Sequence, residues 1–236
     1  MIEPTNVGRD LERPDEADSM ASKNMSVEVS TTLPITHRKH KEFYFTDETV
    51  VLLVEDTLFR VHQHFLRTHS RVFGDMFLLP PPLERETEGR TDNDPIRLPD
   101  TKSEDFARLL SLFYPKDVKN GDLSTVEEWT SVLAVSSRWG FDLHRQLSKE
   151  RLSQLASPFE RILLSRQYDV KEWLVPALLD LSTRDESLTL AEGWKLGMED
   201  VILISDIRQS IRGNGRVTIT DRSIVNLIHA KLNSPS

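Results

Sequence analysis

Apolar positions recur along this chain in two rhythms, and the predicted structure changes where the rhythm does. Val50 to Val54 is a continuous run of valine and leucine, and beyond Glu55-Asp56 the stretch Thr57 to Val61 alternates apolar with polar. Two strands separated by two residues predict a β-hairpin, with Asp accepting a positive φ better than most residues. From His62 to Phe77 the period becomes helical. Phe65 and Leu66, then Val72, Phe73, Met76 and Phe77, predict two short segments meeting near Ser70. Pro80-Pro81-Pro82 stops any helix, and Glu84 to Asp94 is nearly all charged or polar, so residues 79–95 read as a long surface loop. Ile96-Arg97-Leu98 predicts a short strand before Pro99. Phe106, Leu109, Leu110 and Phe113 then fall at i, i+3, i+4 and i+7, which predicts a one-sided helix. Another is expected from about Val126 through Trp129, Val132 and Leu133 to Trp139, with Gly140 as its stop.

Everything after that reads as helical. Ser157-Pro158-Phe159-Glu160 is a capping box with proline at the first helical position, and Thr189-Leu190-Ala191-Glu192 repeats the logic before Gly197. Leu174, Leu178 and Leu181 form one face after Trp173, and Val201, Ile204, Ile207 and Ile211 form another. Past Gly213-Asn214-Gly215, the segment Ser223 to Leu232 has the pattern of a short amphipathic helix. Strands precede helices, so the expected class is α+β rather than α/β.

Residues 1–41 hold almost no large apolar side chains and no repeating apolar period, so they are expected to form a disordered tail. The basic run His37-Arg38-Lys39-His40-Lys41 at its end reads better as a solvated hinge than as a nuclear import patch. The expected organisation is a tail over 1–41, an α+β domain over 42–155, a helical extension over 156–212 and a C-terminal tail over 213–236 carrying one short helix.

Composition narrows the chemistry. The net charge of −8 argues against a general nucleic-acid binder, which needs a concentrated basic face. The chain has no cysteine, which excludes disulfides, thiolate metal sites and cysteine nucleophiles. Met1-Ile2-Glu3-Pro4 does not open a basic region followed by an apolar run, and no apolar stretch approaches the roughly 20 residues of a membrane helix. No membrane partner is expected, and the expected location is cytoplasmic or nuclear. His62, His64 and His69 lie close together, but positions two apart on a helix do not share a face, and no carboxylate stands beside them at a ligating interval. His62 is instead expected to be a hydrogen-bonded residue at the junction of hairpin and helix. No nucleophile elbow frames any serine, and no phosphate-cradling glycine motif is present among the nine glycines. The four tryptophans sit on apolar helical faces and are expected in the core. No catalytic, cofactor-binding or metal-ligating residue is therefore predicted.

Phe59, His62, Leu66, Ser70 and Phe73 stand in the offsets of the BTB/POZ signature, and residues 43–155 resemble that family in element order as well. Trp173-Leu174-Val175-Pro176-Ala177-Leu178 and Leu188-Thr189-Leu190-Ala191-Glu192 resemble the helical extension of the large fungal set of BTB proteins. The resemblance implies a non-enzymatic interaction module that homodimerises, recruits other proteins, or bridges them to a cullin scaffold of a ubiquitin ligase. Repressor-type members carry an Asp opening the first strand and a basic residue after the signature His; here Thr49 and Gln63 stand there, so that charged pocket is not implied. The alternative is a small-molecule-binding or catalytic helical domain whose site one sequence does not display.

Three consecutive aromatics, Phe43, Tyr44 and Phe45, cannot all point inward from a strand, since alternate side chains face opposite ways. They are the candidate interaction surface, unless the extension at 158–212 covers them. Leu66 and Phe73 are expected in the core against the Phe106 helix, with Gln63 and His64 exposed.

Overall fold

A computed structural model describes residues 49–80, 87–213 and 220–233. The tail expected over 1–41 and the aromatics Phe43, Tyr44 and Phe45 lie outside the described residues.

Strand β1 (Thr49–Val54) pairs antiparallel with β2 (Thr57–His62), and β3 (Ile96–Arg97) pairs parallel with β1, giving the order β2-β1-β3. The central place of β1 explains its unbroken apolar run, because both its faces are largely covered. β2 is an edge strand, and only Phe59 and Val61 turn inward. The turn differs from expectation in one respect: Glu55, not Asp56, takes the positive φ, at 56°. Its carboxylate accepts from the Ser103 backbone N–H at 2.9 Å and from the Ser103 hydroxyl at 2.8 Å. Those bonds hold Glu55 below the usual carboxylate range and supply a helix start that Lys102, its N-cap residue, leaves without a side-chain acceptor.

The helices follow the expected order. α1 (Gln63–His69) and α2 (Arg71–Leu78) meet at Ser70; α3 (Ser103–Ser111) leads to α4 (Val126–Trp139), which Gly140 ends at φ 69°. α5 (Asp142–Leu155) has no distinct signal of its own in the apolar pattern. α6 (Pro158–Tyr168) and α8 (Leu190–Leu196) start at the two expected capping boxes, and α7 (Lys171–Thr183), α9 (Met198–Gly213) and α10 (Asp221–Leu232) complete the chain.

Two cores result. The first joins Leu52, Leu66, Phe73, Phe106, Leu109, Trp129, Leu133 and Phe141, and reaches into α6 and α7 through Leu164 and Trp173. The second is aliphatic, built from Ile162, Leu178, Leu181, Ile204, Ile207, Ile224 and Ile228. It contains one buried cation, Arg208, which donates to the carbonyl oxygens of Leu181 and Asp185, and one buried anion, Asp200, which accepts from Arg166 at 2.8 Å.

Several expectations are corrected. Phe113 lies beyond the end of α3, where the chain has turned, and packs on α1 and α5 rather than continuing the helical face. Trp129 and Trp173 are buried and Trp139 partly so, but Trp194 is exposed: the inner face of α8 is carried by Leu196. Val72 is also partly outside, 38% exposed. Gln63 and His64 are half-buried, not exposed. Within the 79–95 segment, Gly89 is buried; its carbonyl accepts the Val51 N–H at 2.7 Å, and a Cβ there would stand 2.7 Å from Val50 Cγ2. With φ at 83°, only glycine suits that close approach, so this part of the loop is fastened to the sheet.

Candidate protein-interaction surface

The five signature positions all act inward or at junctions. Phe59 meets the Phe106 ring edge-on at 5.2 Å. Leu66 and Phe73 are fully buried, and Phe73 stacks on Trp139 at 5.4 Å. Ser70 is buried between α1 and α2, where its hydroxyl accepts the Phe73 N–H at 3.0 Å and donates to the Trp139 carbonyl. That single side chain caps one helix and ties it to the end of another. His62 closes β2 and stands at the N-cap position of α1 without a side-chain cap bond; its backbone N–H donates to the Tyr114 hydroxyl at 3.0 Å, and its Nδ1 lies 2.9 Å from the same oxygen. With Nε2 protonated, the phenol donates to Nδ1, so His62 is held on both sides.

Around Tyr114 an aromatic cluster joins α1, the end of α3 and α5. Phe65 stacks on Phe113 at 5.3 Å, and Phe113 lies 4.7 Å from His144. His69 meets His144 edge-on at 5.4 Å. Burial, then the nearby His69, pushes His144 down to about 4; burial and His64 lower His69 as well. The two imidazoles are thus held neutral and serve as packing surfaces. Nothing in the sequence alone marks Tyr114 and His144 as members of this cluster. Tyr114 follows Phe113 directly, the only local hint, while His144 meets its partners across distant parts of the chain.

Beside this cluster, an open groove of about 640 Å³ runs along α3 between β2 and the connection to α4. Phe59, Ala107, Leu110, Tyr114 and Leu123 contribute its apolar walls. The Lys116 ammonium apart, its charged rim is already engaged with described residues of the chain. Arg108 donates to Glu104 at 2.6 Å and to Ser131 at 2.8 Å. Asp122 accepts the backbone N–H groups of Lys116 and Asp117, and Glu128 those of Ser124 and Thr125, which lowers both carboxyl groups from their ordinary range. What the groove offers a visitor is apolar wall area framed by mostly satisfied charges and one lysine, the composition of a contact surface. Among the described residues, no group of three or more His, Asp or Glu is placed to hold a metal ion, and no helix is long and apolar enough to cross a membrane.

A family model for the BTB/POZ domain matches residues 38–154. The chain carries a BTB/POZ domain, its α+β architecture a small mixed sheet with helices, followed by further helices. Domains of this kind are in general protein–protein interaction modules and typically non-catalytic. No curated protein matches the chain.

Proposed function

We propose that this protein is an adaptor that binds other proteins through the groove along α3. The observation that carries the reading is the pairing of apolar walls at Phe59, Ala107, Leu110 and Leu123 with rim charges that, the Lys116 ammonium apart, are already satisfied. A partner segment with two or three apolar side chains gains by burying them there, without having to displace an ion pair. The surface beside the first strand, at Phe43, Tyr44 and Phe45, lies outside the described residues, so the groove is the site offered. Linking the bound protein to a cullin-type ubiquitin ligase, in the cytoplasm or nucleus, is the role that the resemblance to BTB/POZ adaptors of the fungal set suggests.

Ala107 is exposed on the groove wall, and Ala107→Arg fills the groove without touching the core. Affinity purification of the full chain and of Ala107→Arg, each followed by mass spectrometry, is expected to show partners recovered with the first and lost with the second at equal thermal stability. Recovery of the same proteins with both chains would refute the groove as the binding surface.

A further inference from the structure

Strand β2 is the outer edge of the sheet, and among the described residues no strand pairs with its far side. The two-residue connection Glu55-Asp56 makes Val54 and Thr57 a hydrogen-bonded pair, and bonded pairs then alternate along the hairpin. Phe59 and Val61 therefore turn their backbone groups toward β1, while Leu58, Arg60 and His62 turn theirs outward. The His62 N–H fits this phase: it leaves the sheet and donates to the Tyr114 hydroxyl at 3.0 Å. Further along the strand, the outward N–H and C=O groups of Leu58 and Arg60 have no partner among the described residues. Exposed edges are usually blunted by proline, lysine or a bulge. Thr57–His62 contains no proline or lysine, and its register with β1 runs unbroken. Leu58 is 46% exposed, and the Arg60 side chain is tied to Asp92, in the loop that bonds the opposite side of β1 through Gly89. That charge is drawn across the sheet, away from the free edge.

The α3 groove opens along this same edge, on the face to which Phe59 points. A segment that fills the groove covers Leu58 and Arg60, whose backbone groups must then be bonded or left dry at a cost. A helix laid there satisfies none of them, because its own backbone bonds are internal. An extended segment bonds them, and its alternating side chains set every second one toward Phe59, Ala107 and Leu110. We propose that the occupant of the α3 groove is an extended segment of another protein that joins the three-stranded sheet beside β2, with apolar side chains at alternate positions and a carboxylate facing Lys116. Lys116 is exposed on the groove rim, and its ammonium has no hydrogen bond or ion pair among the described residues. An acidic side chain is therefore the charge the rim still lacks. Tyr114 bounds the pairing, since its hydroxyl already takes the His62 N–H and leaves Leu58 and Arg60 to the added strand. The proposal rests on the groove reading and adds the conformation and charge of what enters.

Short random peptides displayed on phage, selected on the full chain and counter-selected on Ala107→Arg, test the proposal. The survivors are expected to carry apolar residues at every second position and an Asp or Glu. Each is then synthesised with one backbone N-methyl group at a time. Binding should weaken at least tenfold at alternate residues, whose N–H points to β2, and stay unaltered at the residues between. That scan needs no change to the protein. Leu58→Pro removes an outward N–H without breaking the ladder to β1, and should also weaken the peptides at least tenfold. Lys116→Glu should weaken them too, and should prefer the same peptides with lysine in place of the carboxylate. Survivors with apolar residues three and four apart, or an N-methyl scan without alternation, would overturn strand addition and leave the groove reading standing. No survivors at all would sink both. A dimer of the chain that the selected peptides dissociate would make a second copy the occupant, and would overturn the proposal as well.

Discussion

The two cores of this molecule are built from different materials. The first is aromatic and pinned by single polar side chains: Phe73 lies between Trp139 and Phe141, and Ser70 is bonded to both α2 and α4. Stacked rings fill space in only a few orientations, and a buried hydroxyl with two partners fixes the register of the helices it joins. The second core is aliphatic, with isoleucine and leucine from five helices, and much of its specificity lies at the ends: the capping boxes at Ser157 and Thr189, and the Arg184–Glu192 pair that reinforces the latter at 2.7 Å. The first is held by stacked rings and a buried hydroxyl, the second by helix caps and one buried guanidinium. The first presents a walled groove, the second leaves Trp194 bare.

Substitutions in the two cores should separate most widely. Phe73→Ala is expected to cost about 3–5 kcal/mol, and Leu66→Ala about 2–5 kcal/mol, in urea denaturation. Ile204→Val, which keeps the aliphatic character of the second core, should cost only about 0.5–1.5 kcal/mol. Equal midpoints for Phe73→Ala and Ile204→Val would erase the distinction. The polar anchors come next. Ser70→Ala leaves the Phe73 N–H and the Trp139 carbonyl without their buried partner and should cost roughly 1–3 kcal/mol, against about 1 kcal/mol for the exposed cap lost in Thr189→Ala.

Acid should weaken the first region in an upper window, through histidine, besides the carboxylate window that both regions share. His144 is pushed from its ordinary 6.5 to about 4, chiefly by burial, and Glu192 from 4.5 to about 2, chiefly by Arg184. In each case the unfolded chain takes up its proton first as pH falls. Stability is therefore lost from pH 6.5 to 4 through His144, with His69 adding to it, and from 4.5 to 2 through Glu192. Denaturation midpoints at pH 7 and pH 5 should differ less for His144→Phe than for the unsubstituted chain. An unchanged difference would place the upper window elsewhere. The smallest effects belong to the rim of the first core: Gln63→Ala and His64→Ala should each cost well under about 1 kcal/mol, since neither is fully buried.

What was legible in the sequence was local. The hairpin follows from two apolar runs and a two-residue gap, and the capping boxes at Ser157 and Thr189 follow from residues three apart. The signature positions Leu66, Ser70 and Phe73 are close enough in the chain for one pattern to hold them. What was not legible depends on which element comes to lie opposite. Trp194 shares the spacing of a core residue, but α8 turns its Leu196 inward, and nothing within seven residues states which face will be covered. The groove is invisible for the same reason, since Phe59, Ala107 and Leu123 come from a strand, a helix and a connection that only the folded chain assembles. Gly89 reads as loop in the sequence because its constraint is a contact with Val50 and Val51, nearly forty residues earlier.

The claim that this is a binding module acting through the α3 groove is tested most directly by titrating one recovered partner, by calorimetry, against the full chain, Ala107→Arg and Trp194→Glu. The account predicts at least tenfold weaker binding to Ala107→Arg and unaltered binding to Trp194→Glu. Ala107→Arg binding as tightly as the unsubstituted chain would contradict it.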